Sequence, residues 1–315
     1  MEVYSICFYI GIICMYAITA LSGYGLFTVV MDSRVAAFAA KGAIPMPSLH
    51  VEFYSDALKI DTGVEVIYPQ NCARTPEPLR SVIKPPFQVL YLLHGIMRDQ
   101  TSWIRFTNIE QYVMDMGLVV VMPTTGRGHY INQPHGYRYF DYITKELPEI
   151  MNNMFRISQK REDTFIAGLS MGGYGALHAA ALCPEQYAAA ASLSGVVDVG
   201  IFYDSDDFYS DAEKWMTFDN RDPRGGKDDL LVEIKAAKEK GIELPKMLCA
   251  VGRQDFLYPC NVAFYEKARQ LTEIEFWEED GDHVWEFWDR NIKKVLDWLP
   301  LKQRIKGYKQ QLVIK

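Results

Sequence analysis

Three residues of this sequence could do chemistry together: a serine between glycines, a histidine far downstream and an aspartate between them. Gly168-Leu169-Ser170-Met171-Gly172 fits G-x-S-x-G. An apolar run, TFIA, precedes it, and small helix-forming residues, YGALHAAAL, follow. A sharp strand-to-helix turn of this kind exposes a serine hydroxyl, and its glycines leave room where a Cβ would clash. The start of the helix also points partial positive charge at the same place.

A serine hydroxyl is a weak nucleophile without a base, and the base needs an acid to orient it. At such turns the chain order is Ser, then Asp or Glu, then His. His283, in GDHVWEFW, is the one histidine beyond the helix that follows Ser170. His178 lies about two turns along that helix, cannot curl back, and reads as a packing or surface residue. For the acid, Asp255 in AVGRQDFLYP ends an apolar run, where an α/β sheet presents its ligands. Asp198, after SLSGVV, competes for that role, and Asp282 reads as a turn residue. An oxyanion needs two N–H donors. Met171 supplies one and Ile96, in LLHGIMRDQTSW, is the choice for the other, with His94 bracing that loop by hydrogen bonding.

The elements that must position these residues alternate. HVEFYSDAL, GVEVIYPQ, FQVLYLLHG, LVVVMPTTG, DTFIAGLS, AAAASLSG, KMLCAVGRQD and IEFWEEDGDH read as eight strands, most of them continuously apolar, with helical segments between the later ones. This predicts one α/β domain with a mostly parallel sheet covered by helices on both faces. Pro148, inside DYITKELPEIMNNMF, predicts a kink or a restart of that helix. A lid-like insertion is expected at about 196–229, acidic and aromatic in composition, which suits neutral sugars better than anionic substrates. Trp103, Tyr130 and Trp285 are the candidate substrate-binding aromatics, with Phe202 and Trp215 as further choices.

The chain has 315 residues, a net charge of −7 and no long basic run, which argues against a nucleic-acid partner. Its six cysteines are scattered with no metal-ligand spacing, so no metal site is expected. Residues 1–45 differ from the rest. Val3 to Met31 carries no charge and is long enough to span a bilayer, while Arg34 and Lys41 follow it. The segment reads as an anchor, as a signal, or as lying outside the working protein. Translation from Met46 would leave a cytoplasmic enzyme; retention of the segment would give membrane contact or export.

The stretches HVEFYSDAL, LYLLHGI, TSWIRFTNIEQY, VVVMPTTGRGHYIN, YFDYITKELPEI, residues 160–182, GRQDFLY and GDHVWEFWD together resemble the Putative esterase family of α/β-hydrolases, in its tributyrin esterase and acetylesterase branch. The resemblance runs from about His50 to Leu299. It implies the α/β-hydrolase fold over 46–315, Ser170 as nucleophile, Asp255 as acid, His283 as base, and no metal or organic cofactor. It also implies a small-molecule ester substrate with a short acyl group, acetylated and feruloylated sugars being among those the family takes. His129 departs from the family, where tryptophan is more typical. Two rival functions stay open at this level: acyl transfer to a sugar or lipid hydroxyl at the same site, and a catalytically silent carbohydrate-binding relative. Oligomeric state is not legible in the sequence.

Overall fold

The computed structural model describes residues 46–71, 75 and 77–304, together with the strands formed by 3–10, 13–22 and 25–32. Those first strands, β1 (Val3–Ile10), β2 (Ile13–Ser22) and β3 (Gly25–Asp32), pair antiparallel in a small sheet of their own. Arg34 and Lys41, read as the flank of the apolar segment, and residues 305–315 lie outside the described residues. Among the described residues no helix is long and apolar enough to cross a membrane.

The main sheet has eight strands: β4 (Ser48–Ser55), β5 (Ile60–Ile67), β6 (Gln88–Leu93), β7 (Leu118–Pro123), β8 (Thr164–Leu169), β9 (Ala189–Leu193), β10 (Lys246–Gly252) and β11 (Ile274–Glu279). Their order is β11-β10-β9-β8-β6-β7-β5-β4. Only the pairings of β5 with β4 and β7 are antiparallel. The alternation of apolar runs and helices thus forms the mostly parallel sheet it predicts. β6 and β7 are buried at every residue, as strands covered on both faces must be.

The longer helices are α1 (Leu147–Met154), α2 (Met171–Leu182), α3 (Asp211–Phe218), α4 (Leu230–Glu239), α5 (Tyr258–Ala268) and α6 (Trp285–Trp298). Pro148 marks a restart: a π-helical turn over Tyr142–Glu146 gives way to α1 there. α2 is almost wholly buried behind the sheet, which its small residues allow. His178 is a core residue rather than a surface one. Its Nδ1 lies 2.7 Å from Glu233 Oε1 of α4, with both side chains buried, so a polar pair ties α2 to α4.

The approach of α2 to the sheet depends on glycine. A Cβ on Gly172 would stand 2.6 Å from the carbonyl oxygens of both Leu93 and His94, at the end of β6. A Cβ on Gly168 would collide with the carbonyl of Gly172. Backbone cannot retreat as a flexible side chain can, so the G-x-S-x-G pattern is a packing requirement as well as a chemical signature.

Candidate active site

Four loops leave the carboxyl ends of β6, β8, β10 and β11 and meet at one point. Ser170 sits between β8 and α2 with φ 53° and ψ −119°, a conformation that costs a non-glycine residue about 1–3 kcal/mol. The surroundings enforce it. The Ser170 N–H donates to Leu193 O at 2.9 Å, and its carbonyl accepts from Gly173 at 2.9 Å and Val196 at 3.2 Å. The strain aims Oγ out of the sheet end rather than along it.

His283 Nε2 lies 3.1 Å from Ser170 Oγ, and His283 Nδ1 lies 2.9 Å from Asp255 Oδ2. The Asp255 side chain is fully buried, and its other oxygen accepts from the Leu257 N–H at 2.8 Å. The two loops carrying acid and imidazole are laced together. Gln254 N–H donates to Gly281 O at 3.0 Å, and Gly281 N–H donates to Gln254 Oε1 at 2.7 Å. Asp282 accepts from the His283 N–H at 2.7 Å, a turn role as the sequence suggests. Asp198, the competing acid, is instead bonded to Arg224 Nε at 3.0 Å and to the Gly200 N–H at 3.0 Å.

The loop after β6 is braced by three buried side chains. Thr125 N–H donates to His94 Nε2 at 3.1 Å, so the ring proton is on Nδ1, which donates to Gly95 O at 2.7 Å. Trp103 Nε1–H donates to Leu93 O at 3.0 Å, and Tyr130 Oη–H donates to His94 O at 2.9 Å. A trans peptide sets C=O and N–H on opposite sides. Turning the Gly95 carbonyl to His94 therefore turns the Ile96 N–H the other way. Met171 opens α2, and a first-turn N–H has no partner inside its own helix.

Burial holds the His94 imidazole neutral, lowering its pKa to about 4. The unfolded chain takes up that proton near pH 6.5, so acid favours unfolding well before the folded ring titrates. This contribution is whole above pH 6.5 and is lost as pH falls towards 4. Between pH 7 and 5 it amounts to about 2 kcal/mol. We expect His94→Gln to be less stable than the parent at pH 7 but to lose about 2 kcal/mol less between pH 7 and 5 in urea titrations. An unchanged pH slope would show that the ring is not held neutral.

Ser170 opens into a cavity of about 660 Å3. Its walls are mostly apolar, with Phe106, Phe202, Phe208, Phe256, Trp285 and Trp288 around Ser170 and His283. Residues 55–299 match the Putative esterase family. The chain belongs to that family. It is 28% identical to an acetyl esterase of Caldicellulosiruptor saccharolyticus over 264 residues, 81% of this chain and 98% of the relative. Two solved Staphylococcus aureus structures are each 31% identical over 81% of this chain. One is the substrate-bound fluorophosphonate-binding serine hydrolase F, covered to 98% with a TM-score of 0.74. The other is an S-formylglutathione hydrolase without ligand, covered to 99% with a TM-score of 0.72. The chain is accordingly an α/β-hydrolase and a hydrolase of carboxylic esters.

Within this esterase, the candidate substrate aromatics separate. Trp285 lines the cavity, as does Phe202. Trp103 and Tyr130 do not: both are buried, and their polar atoms are spent on the loop after β6. Trp215 is stacked on His135 at 4.2 Å, away from the cavity lining. His129 is also buried, edge-on to Phe202 at 5.0 Å, so it supports the wall without forming it.

The insertion over 196–229 gives the cavity only Phe202 and Phe208. Its carboxylates turn elsewhere: Glu213 to Arg127, Asp206 to Lys214, and Asp198, Asp204 and Asp222 to Arg224. The acidic composition of the segment therefore says little about the substrate's charge. Sequence reasoning overlooked several lining residues beside the site residues in the chain: Met97 and Arg98 after Ile96, Phe256 after Asp255, and Val284 after His283. That adjacency was the available signal. Phe208 lies in the aromatic insertion the sequence marks out, whereas Phe106 and Trp288 reach the cavity through tertiary packing.

Proposed function

We propose that this enzyme is a serine carboxylesterase acting on short-chain acyl esters through an acyl-enzyme on Ser170. His283 takes the Ser170 proton as Oγ attacks the ester carbonyl, then gives it to the departing alcohol. Asp255 holds the imidazole with Nδ1–H towards itself and stabilises the charged ring. The Met171 and Ile96 N–H groups receive the oxyanion. Water, deprotonated by His283, then attacks the acyl carbonyl and frees Ser170.

One observation carries the reading: the continuous contact Ser170 Oγ, His283, Asp255, with a strained Ser170 lining an apolar cavity. Its elements fit the required order of roles, each partner within hydrogen-bond reach of the next. The acetyl esterase relative points to small acyl groups. p-Nitrophenyl acetate, butyrate and octanoate are the direct test. Acetate and butyrate are expected to give the highest kcat/KM, with octanoate about tenfold lower. Preference for octanoate would contradict the short-chain assignment while leaving the esterase assignment intact. Acetylated xylo-oligosaccharide in the same panel tests whether sugar esters are substrates.

A further inference from the structure

The cavity lining contains one arginine, Arg98, and one carboxylate, Glu286. Among the described residues neither takes part in an ion pair, whereas the acids of the nearby insertion are largely paired. Asp99, next to Arg98 in the chain, is occupied with its own turn, accepting from the Thr101 N–H at 2.9 Å and the Thr101 hydroxyl at 2.6 Å.

Arg98 is nonetheless held in place. Its guanidinium carbon stands 5.1 Å from the centre of the Phe106 ring, as does that of Arg105, which does not line the cavity, and Phe106 stacks on Trp285 at 5.0 Å. A guanidinium resting on a ring keeps its N–H groups free at its edge, an arrangement suited to a planar anion. Met97, just before it, adopts φ 62° and leaves 69% of its surface exposed, so the loop is bent to present this corner at the mouth. An unpaired arginine, fixed on an aromatic shelf beside an otherwise apolar cavity, is a recognition element for a negative group on the substrate.

We propose that Arg98, on the Phe106–Trp285 shelf, is a specificity-determining residue that binds a carboxylate carried by the ester substrate at the mouth of the cavity. The carboxylate belongs either to the alcohol part or to the acyl part. Glu286 acts in the opposite sense and disfavours that group. This rests on the esterase reading of Ser170.

The test uses two matched pairs of esters. In the first the charge is on the alcohol part: 4-acetoxybenzoate against its methyl ester. In the second it is on the acyl part: the 4-nitrophenyl monoester of glutaric acid against 4-nitrophenyl pentanoate. The readout is kcat/KM for the anionic ester divided by that for its neutral partner. Arg98→Gln is expected to lower this ratio about five- to tenfold in one pair, and the affected pair identifies which part of the substrate faces the mouth. Arg98→Lys restores part of it, because the charge returns without the planar fork. Glu286→Gln raises the same ratio, and added salt lowers it in the parent enzyme. Ratios unchanged within twofold in both pairs for Arg98→Gln, or moved in the same direction by Arg98→Gln and Glu286→Gln, would overturn the proposal. Those results leave the esterase reading standing, because the parent still turns over the neutral esters. Hydrolysis of none of the four esters by the parent would overturn both.

Discussion

Ser170→Ala is expected to lower kcat for p-nitrophenyl acetate by at least about 10⁴-fold, with the folded state intact. The substitution removes the oxygen on which the proposed acyl-enzyme forms. It leaves the backbone as it is, because the positive φ is imposed by the bonds from Ser170 to Leu193 and Val196 and not by the hydroxyl. The lost contact, Oγ to His283 at 3.1 Å, is one partly buried hydrogen bond, so thermal stability should change by no more than about 1 kcal/mol. Residual turnover above the uncatalysed rate should persist, since the N–H groups of Met171 and Ile96 and the cavity remain. Kinetics together with a thermal melt separate this outcome from simple misfolding, in which both would fall.

The second large effect concerns Asp255. Its two oxygens have separate tasks, one accepting from His283 Nδ1 and one from the Leu257 N–H. In Asp255→Asn the amide oxygen can keep the Leu257 contact. The amide N–H then faces His283 Nδ1 and drives the ring proton to Nε2, where it points at Ser170 Oγ. An imidazole in that tautomer cannot take the serine proton, and the stabilising negative charge is lost as well. We expect kcat to fall about 10⁴-fold. Asp198→Asn is the contrast. It weakens a partly exposed pair with Arg224 and removes no hydrogen bond to His283 or Ser170, so kcat/KM should stay within about threefold of the parent. A larger loss at Asp198 than at Asp255 would reverse the assignment of the acid.

Much of this site was legible before any coordinates. The strand–Ser170–helix turn, the carboxyl ends that carry Asp255 and His283, and the bracing role of His94 follow from glycine spacing, apolar runs and the chain order of the three residues. The cavity wall was less accessible. Trp103, Tyr130 and Trp285 are alike as sequence, yet Trp103 and Tyr130 spend their polar atoms on the backbone after β6 while Trp285 faces the cavity. Which way an aromatic turns is decided by neighbours distant in the chain. The same holds for charge. The acids of the insertion look like a negative wall in the sequence, and ion pairing with Arg224, Lys214 and Arg127 removes that character. α3 and α4 are not among the helices the sequence predicts, because both are short and lie within or just after the long insertion.

The proposed mechanism makes Ser170 the nucleophile, activated through His283 and Asp255. The most direct measurement is covalent labelling with a fluorophosphonate probe, followed by peptide mass spectrometry. A single adduct on Ser170 is expected in the parent enzyme, none in Ser170→Ala, and strongly slowed labelling in Asp255→Asn. An unlabelled parent enzyme that still hydrolyses esters, or an adduct on a different serine, would contradict it.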